Sequence, residues 1–394
     1  MIPITRPTIG DEELAGIAEV LQSGWVSQGP YVAKFEEAFA DYVGAKHACA
    51  VSSCTTALYL ALLAIGARPG DEVLTVSHSF IATANSIRYC GAIPVFVDIC
   101  PDTFNVDPTL IEAAISERTR AIVCVHQVGM PCDLPRIVDI ASRHGLPVIE
   151  DAACAIGSEI RTAESWERIG KPHGDIACFS FHPRKVITTG EGGMLTSSRA
   201  DYDHRFRLLR QHYMSVPDTT RHNSSEVIFE AYPEVGFNFR MTDIQAAMGC
   251  AQLKRLDGLI DRRRALAFRY RSMLSEVPGI RLQAEPDWAR STWQSFCLRL
   301  PRQSDQRQVM RSMLDVGVAT RRGVMCSHRE AAFPPGTWSC TGNSTYCNCG
   351  GVGCQRLRHS EEAQDTSIML PLFPGMSFVE QDHVVKALRD ALHV

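Results

Sequence analysis

The sequence predicts an α/β fold: a large domain with a mostly parallel, seven-stranded sheet flanked by helices, followed by a smaller C-terminal α+β domain. Three observations carry this expectation. Between residue 12 and about residue 200, short β-rich runs recur at intervals of about 20 to 30 residues with helical periods between them, as right-handed crossover connections require. The length, 394 residues, exceeds one ordinary core and suits two domains. The composition, 45% hydrophobic and 21% charged, is that of an ordinary globular chain and excludes collagen-like, disordered and coiled-coil classes.

Taken in order, the first strong helix is expected near 31–43. It puts Val32, Phe35, Phe39 and Val43 on one face and meets Gly44, a natural C-cap. Strands are expected at 47–51, 72–76, 94–99, 120–126, 147–150, 175–181 and 193–197. After residue 240 the texture changes, because 242–256 and 259–274 read as helices. The boundary is therefore placed at residue 250, with 1–250 as the large domain and 251–394 as the small one. The latter is expected to hold strands at 294–300 and 318–321, a helix at 304–315 and a closing amphipathic helix at 379–393. A stretch at about 334–358 is rich in Gly, Ser, Thr, Asn and Cys without apolar periodicity, and reads as an insertion loop or a locally ordered excursion.

Lys plus Arg number 40 against 44 Asp plus Glu, a net charge of −4, and no stretch gathers basic residues. Nucleic acid and anionic membrane surfaces are thereby poor partners. The longest apolar run, 57–67, falls far short of the roughly 20 residues that span a bilayer. The N-terminus lacks the basic flank and apolar run of a signal peptide, so a cytoplasmic, reducing setting is expected. The 15 cysteines then read mostly as small core hydrophobes.

In an open parallel sheet, ligands bind beyond the carboxyl ends of the strands. Three such ends carry chemistry. Ser52-Ser53-Cys54-Thr55-Thr56 closes the first strand and opens a helix, and free N–H groups at a helix start make an anion cradle. The buried-strand pattern Val148-Ile149-Glu150-Asp151 ends in two adjacent carboxylates that point to opposite faces. Lys185 follows another strand and precedes the turn Gly190-Glu191-Gly192-Gly193, where burial and nearby cations are expected to lower its pKa. Each end has an ordinary structural explanation when taken singly: helix capping for the first two, a solvated surface charge for the third. An anion cradle, an acid and a lysine on successive strand ends are together the parts a pyridoxal phosphate site needs.

With these residues in view, the chain resembles the DegT/DnrJ/EryC1/StrS family of fold-type-I sugar aminotransferases. The likeness rests on Ser23-Gly24-Trp25-Val26-Ser27-Gln28-Gly29-Pro30, the turn from Val51 to Leu58, Glu150-Asp151-Ala152-Ala153, Ser180-Phe181-His182-Pro183-Arg184-Lys185 with its following glycine turn, and Gly236-Phe237-Asn238-Phe239-Arg240-Met241-Thr242-Asp243. The resemblance implies that Lys185 forms the Schiff base with pyridoxal 5'-phosphate and that Asp151 pairs with the pyridinium nitrogen. Ser53, Cys54, Thr55, Ser180 and Asn238 would hold the phosphate, with Asn238 reaching into a neighbouring subunit, so that a homodimer is the minimal active unit. Phe80 would stack on the ring. Cys154 stands where relatives often carry Gln or His beside the cofactor hydroxyl. Trp25, His182 and His328 are candidate substrate contacts, His328 at the active-site mouth.

The implied activity is transfer of an amino group, from glutamate, to a nucleotide-linked keto-deoxysugar. Lysine, and not histidine, at position 185 favours amino transfer over deoxygenation. Amination of a keto-cyclitol and aromatising synthesis of an aminobenzoate are alternatives that no residue excludes. A non-catalytic regulator that binds pyridoxal phosphate is a more remote one, for want of a DNA-binding segment. Cys340, Cys347, Cys349 and Cys354 are candidate zinc ligands, although their spacing is not the paired arrangement of a zinc ribbon.

Overall fold

A computed structural model of the chain describes residues 1–163, 165–216, 221, 224–340 and 353–393. Among these residues the large sheet has eight strands. These are β1 (His47–Val51), β2 (Glu72–Val76), β3 (Ile93–Val97), β4 (Thr119–Val125), β5 (Val148–Asp151), β6 (Ile176–Ser180), β7 (Gly193–Ser197) and β8 (Ser339–Cys340). Their spatial order is β1-β7-β6-β5-β4-β2-β3-β8. Only β7 runs antiparallel to its neighbours; β6, β5, β4, β2, β3 and β8 pair in parallel. The seven expected strands all form. The eighth is a correction, since it comes from the stretch that read as an insertion. Its two residues pair with Val95 and Phe96, too short a run to leave a periodic signal.

Helices cover the sheet as the crossovers require. They are α1 (Asp11–Ser23), α2 (Pro30–Val43), α3 (Cys54–Ala64), α4 (Ala82–Tyr89), α5 (Leu134–Arg143), α6 (Ala200–Leu209), α7 (Asp243–Lys254) and α8 (Leu256–Leu274). On one face of the sheet Phe39 of α2 meets Phe179 of β6 and Phe181 just beyond it edge-on, and Phe35 packs at a tilt against Phe181. Helix α7 lies so close to α2 that a side chain at Gly249 would meet the Phe35 ring at 2.6 Å. Its first residue, Asp243, accepts the N–H groups of Gly29, Tyr31 and Val32 at the start of α2, fastening two parts of the sequence more than 200 residues apart.

A second apolar centre gathers Leu266, Tyr270, Trp293, Phe296, Leu298, Ile368, Leu370 and Leu388 around a four-stranded antiparallel sheet. That sheet uses Arg281–Leu282, Phe296–Arg299, Arg321–Arg322 and Ser367–Leu370. The expected boundary at residue 250 falls inside α7. The extreme N-terminus also runs along the second centre, with Ile2 bridged to Val318 and the Leu372 N–H bonded to the Ile4 carbonyl. Among the described residues no helix is long and apolar enough to cross a membrane.

One buried ion-pair cluster ties α2 to β1 and α6. Glu36, 6% exposed, accepts from Arg210 at 2.5 Å, Arg207 at 2.8 Å and the Ala50 N–H at 2.8 Å. Burial pushes the Glu36 carboxyl up, but the two guanidinium groups outweigh it and hold its pKa below the usual range. A folded-state pKa lowered in this way contributes stability above the ordinary carboxylate range, and that stability is lost as pH falls through the folded value. Glu36→Ala would leave Arg210 buried and uncompensated, so we expect a loss of about 3 to 5 kcal/mol near neutral pH in urea unfolding. The difference from wild type should shrink on acidification; a difference that grew instead would count against the pairing.

Candidate active site

The carboxyl ends of β1, β2, β4, β5 and β6 open into a cavity of about 720 Å³. The second, antiparallel sheet closes its far wall with Thr320, Arg321, Arg322 and Met369, and Gln294 adds a polar group. Nine residues singled out in the sequence line this one space: Ser53, Cys54, Thr55, Phe80, Asp151, Cys154, Ser180, His182 and Lys185.

The cradle is made by chain path. Ser53 caps α3 through its own hydroxyl, which accepts the Thr56 N–H, while Thr56 Oγ1 accepts the Ser53 N–H. This reciprocal cap leaves the N–H groups of Cys54 and Thr55, which start the helix, without a carbonyl one turn back. Strand β7 presses behind them. A Cβ at Gly193 would lie 2.4 Å from the Ser53 carbonyl carbon and 2.7 Å from the Cys54 nitrogen, so only glycine lets the strand pass. The Gly of the sequence turn therefore serves close packing.

Asp151 is 5% exposed and both its oxygens are engaged: Oδ2 accepts from Thr83 Oγ1 at 2.7 Å and Oδ1 from the Ala153 N–H at 3.2 Å. Its neighbour Glu150 points the other way, as strand alternation dictates. There it meets His126 Nε2 at 3.1 Å and the N–H groups of His173 and Gly174 at 3.0 Å. His126 Nδ1 in turn accepts the Cys132 N–H, so the ring keeps its proton on Nε2 and donates it to Glu150.

Lys185 Nζ stands 3.1 Å from Cys154 Sγ. Burial works to depress the lysine, but the nearby Cys154, Cys54 and Asp151 outweigh it and its pKa is raised above the usual range. This corrects the expected lowering. Along the sequence Lys185 follows Arg184 and His182, yet in the fold its ammonium faces thiols and a carboxylate.

Three other candidates sit elsewhere. His328 is 3% exposed and not at the mouth of the cavity; its ring bridges Ser77 Oγ at 2.6 Å and Glu361 Oε1 at 3.0 Å, which leaves neither nitrogen for a substrate. Trp25 donates its indole N–H to the Gln28 carbonyl and does not line this cavity. Asn238 bridges to Gln211 beside β1 and is also outside it. Cys347 and Cys349 lie outside the described residues, and among the described residues no group of three or more His, Cys, Asp or Glu could hold a metal.

Sequence reasoning missed Thr83, Ser79, Gln127 and the arginines of the far wall. Thr83 is in the first turn of α4, and nothing local marks it as facing Asp151. Val128, also in the wall, holds a left-handed φ of 52°, rare for a β-branched residue. Asn105 fixes that turn by accepting the Gln127 N–H and donating to the Met130 and Pro131 carbonyls. Thr83→Val keeps the shape and deletes the bond to Asp151, so activity is expected to fall about tenfold with little change in fold, an effect of about 1 to 2 kcal/mol. Unchanged kcat/KM would exclude a role for Thr83 in holding the acid.

A parallel sheet that brings a helix-start cradle, a buried acid and a lysine to one cavity defines the class of enzymes built around pyridoxal phosphate. The chain belongs to the DegT/DnrJ/EryC1/StrS aminotransferase family, whose sequence profile matches residues 7–389, and it is an aminotransferase. It is 38% identical over 397 residues to GDP-perosamine synthase of Caulobacter vibrioides, with 99% of this chain and 98% of that protein covered. It is 36% identical over 404 residues to the spore coat polysaccharide biosynthesis protein SpsC of Bacillus subtilis, covering 99% and 96%. The crystal structure of the aminotransferase TlmJ from Streptoalloteichus hindustanus superimposes with a TM-score of 0.87 at 31% identity, covering 100% of this chain and 99% of that one.

Proposed function

We propose that the protein moves an amino group, from glutamate, to a keto group of a nucleotide-linked keto-deoxysugar, with pyridoxal phosphate as its cofactor. The observation that carries this reading is the convergence of Lys185, Asp151 and the start of α3 on one cavity. The residues fit the cofactor: α3 offers unspent N–H groups for a phosphate, Asp151 offers a carboxylate already oriented by Thr83, and the Phe80 ring is 67% exposed and free to cover a flat heterocycle. When bound, the cofactor supplies an aldehyde that takes up the amino group and a ring that withdraws electrons.

Lys185, once its amine is released, takes the proton from the donor's α-carbon and later returns a proton to the acceptor's carbon. Asp151 holds a ring N–H by charge. Cys154 receives the Lys185 ammonium while the lysine is idle. Arg184 and, on the far wall, Arg321 and Arg322 line the cavity and give it the positive charge that an acidic donor and a nucleotide's phosphates would meet. The sugar nucleotide in the name of the Caulobacter vibrioides relative supports the same substrate class.

The dimer belongs to this reading as well. Val227, Phe229 and Val235 are 86%, 90% and 84% exposed on the segment that leads to Asn238, an apolar stretch suited to a second copy. Asn238 would then complete the partner's phosphate site. The test converts the purified protein to its amino-loaded form with glutamate and then offers keto-sugars linked to GDP, UDP or dTDP. One of them is expected to restore the original visible spectrum at least tenfold faster than a free keto-cyclitol, which corresponds to about 1.4 kcal/mol. A faster response to the cyclitol would overturn the substrate assignment.

A further inference from the structure

The cysteines of the excursion are the part of the sequence that the reaction does not use. Two of them, Cys340 and Cys354, lie within the described residues with their sulfurs 3.9 Å apart, and they are only 2% and 3% exposed. We propose that Cys340 and Cys354 are a redox-active pair that closes to a disulfide under peroxide and thereby cross-links two parts of the excursion, each bonded to elements that support the active-site loop.

Packing explains why a cross-link is useful here. The excursion's ends rest on a small satellite cluster of Ala84, Phe96, Phe333, Trp338 and Leu357, separate from the larger apolar centres. A cluster of that size buries little apolar area, and small cores commonly need a covalent or metal staple. The two thiols lie 14 residues apart within the excursion, and one bond between them would join residues 340 to 354 into a ring. Closing the gap to a disulfide length of about 2 Å needs side-chain rotation and a small shift of one end.

The consequence reaches the reaction site along a short chain of bonds. The Cys354 N–H donates to Glu361 Oε1 at 2.7 Å, and the same oxygen receives His328 Nε2 at 3.0 Å. His328 Nδ1 faces Ser77 Oγ at 2.6 Å. Ser77 follows β2 directly, and two and three residues later Ser79 and Phe80 line the cavity. On the other end, Cys340 pairs with Phe96 in β3, the neighbour of β2. Both sulfurs therefore hang from elements that hold the loop carrying Phe80.

The chemistry balances with hydrogen peroxide as oxidant. One thiolate attacks the peroxide, the O–O bond breaks, and a sulfenic acid and hydroxide form, the latter taking up the thiol proton as water. The second thiol displaces the sulfenic hydroxyl, forming the S–S bond and a second water. Two sulfurs are oxidised by two electrons in all, and the peroxide is reduced by the same two. A dithiol reductant reverses the step.

The experiment uses the full-length cofactor-loaded protein, treated with dilute hydrogen peroxide, alkylated and digested without reduction. The expected result is a linked peptide joining Cys340 to Cys354, about 2 Da lighter than the sum of its reduced parts and lost on reduction. The oxidised protein is expected to melt higher than the reduced one, by about 3 °C or more. Cys340→Ser and Cys354→Ser should each abolish both changes. Because a serine in that apolar cluster could unsettle the fold, Cys340→Val serves as the apolar control. Three outcomes would overturn the proposal: both thiols remaining alkylatable after treatment, a linked peptide pairing either cysteine with a different partner, or a metal that copurifies and is released by Cys340→Val.

Discussion

Lys185→Ala is expected to lower the rate of amino transfer by at least about 10³-fold, because it removes the only amine in the described lining of the cavity and with it the base that handles the substrate proton. The protein should still fold, since Lys185 is only half-buried and, among the described residues, its ammonium donates to the Cys154 thiol while its backbone N–H bond to the His182 carbonyl is kept by alanine. Binding and chemistry can be separated by experiment. Dialysis against pyridoxal phosphate followed by absorbance reports uptake of the cofactor, and stopped-flow mixing with glutamate reports transfer. A variant that bound cofactor and still turned over within tenfold of wild type would remove Lys185 from the mechanism. Lys185→Arg discriminates further: it keeps the positive charge beside Asp151 but offers no amine that can give up its proton near neutral pH.

Asp151→Asn is the second large effect. The amide oxygen can still accept the Ala153 N–H while the new NH2 group donates to Thr83 Oγ1, whose hydroxyl proton turns away, so the loop should keep its shape. What disappears is the negative charge at the cavity floor, and with it the preference for a protonated ring nitrogen. Loss of one preorganised electrostatic partner in a water-poor site commonly costs about 10² to 10³ in kcat. We expect a loss in that range with a near-normal melting temperature. Asp151→Glu should recover little, because the longer side chain cannot keep both bonds. Recovery to near wild-type rate by Asn alone would show that charge at this position is dispensable.

The chain order of the strands, and hence the position of each strand-end residue, was legible from periodicity because a parallel sheet buried on both faces demands runs of apolar residues at regular intervals. The cradle at Ser53, the acid at Asp151 and the lysine follow from that, each lying at the end of such a run. The contacts between distant segments were not legible. Thr83 meets Asp151 across 68 residues, and the arginines of the far wall come from a strand of two residues whose exposed side chains carry no apolar signal. The direction of the Lys185 shift was misread for the same reason: adjacent residues in the sequence are visible, but the charges that set a pKa are those the fold brings near. His328 shows the converse. Its motif placed it near the mouth, whereas its two ring nitrogens bind Ser77 and Glu361 inside the protein.

The short strand Ser339–Cys340 has a consequence for how this protein stays dispersed. Ile93–Val97 is buried along its whole length and would otherwise be the last strand of the sheet on that side, with bare carbonyl and amide groups beside apolar side chains. Such a border invites addition of a strand from another molecule, and natural sheets guard it with a covering segment. Here the covering segment belongs to the stretch that read as an insertion loop or a locally ordered excursion. A shortened chain lacking it would keep every residue of the cavity's cradle, acid and lysine, and would expose a template for self-association.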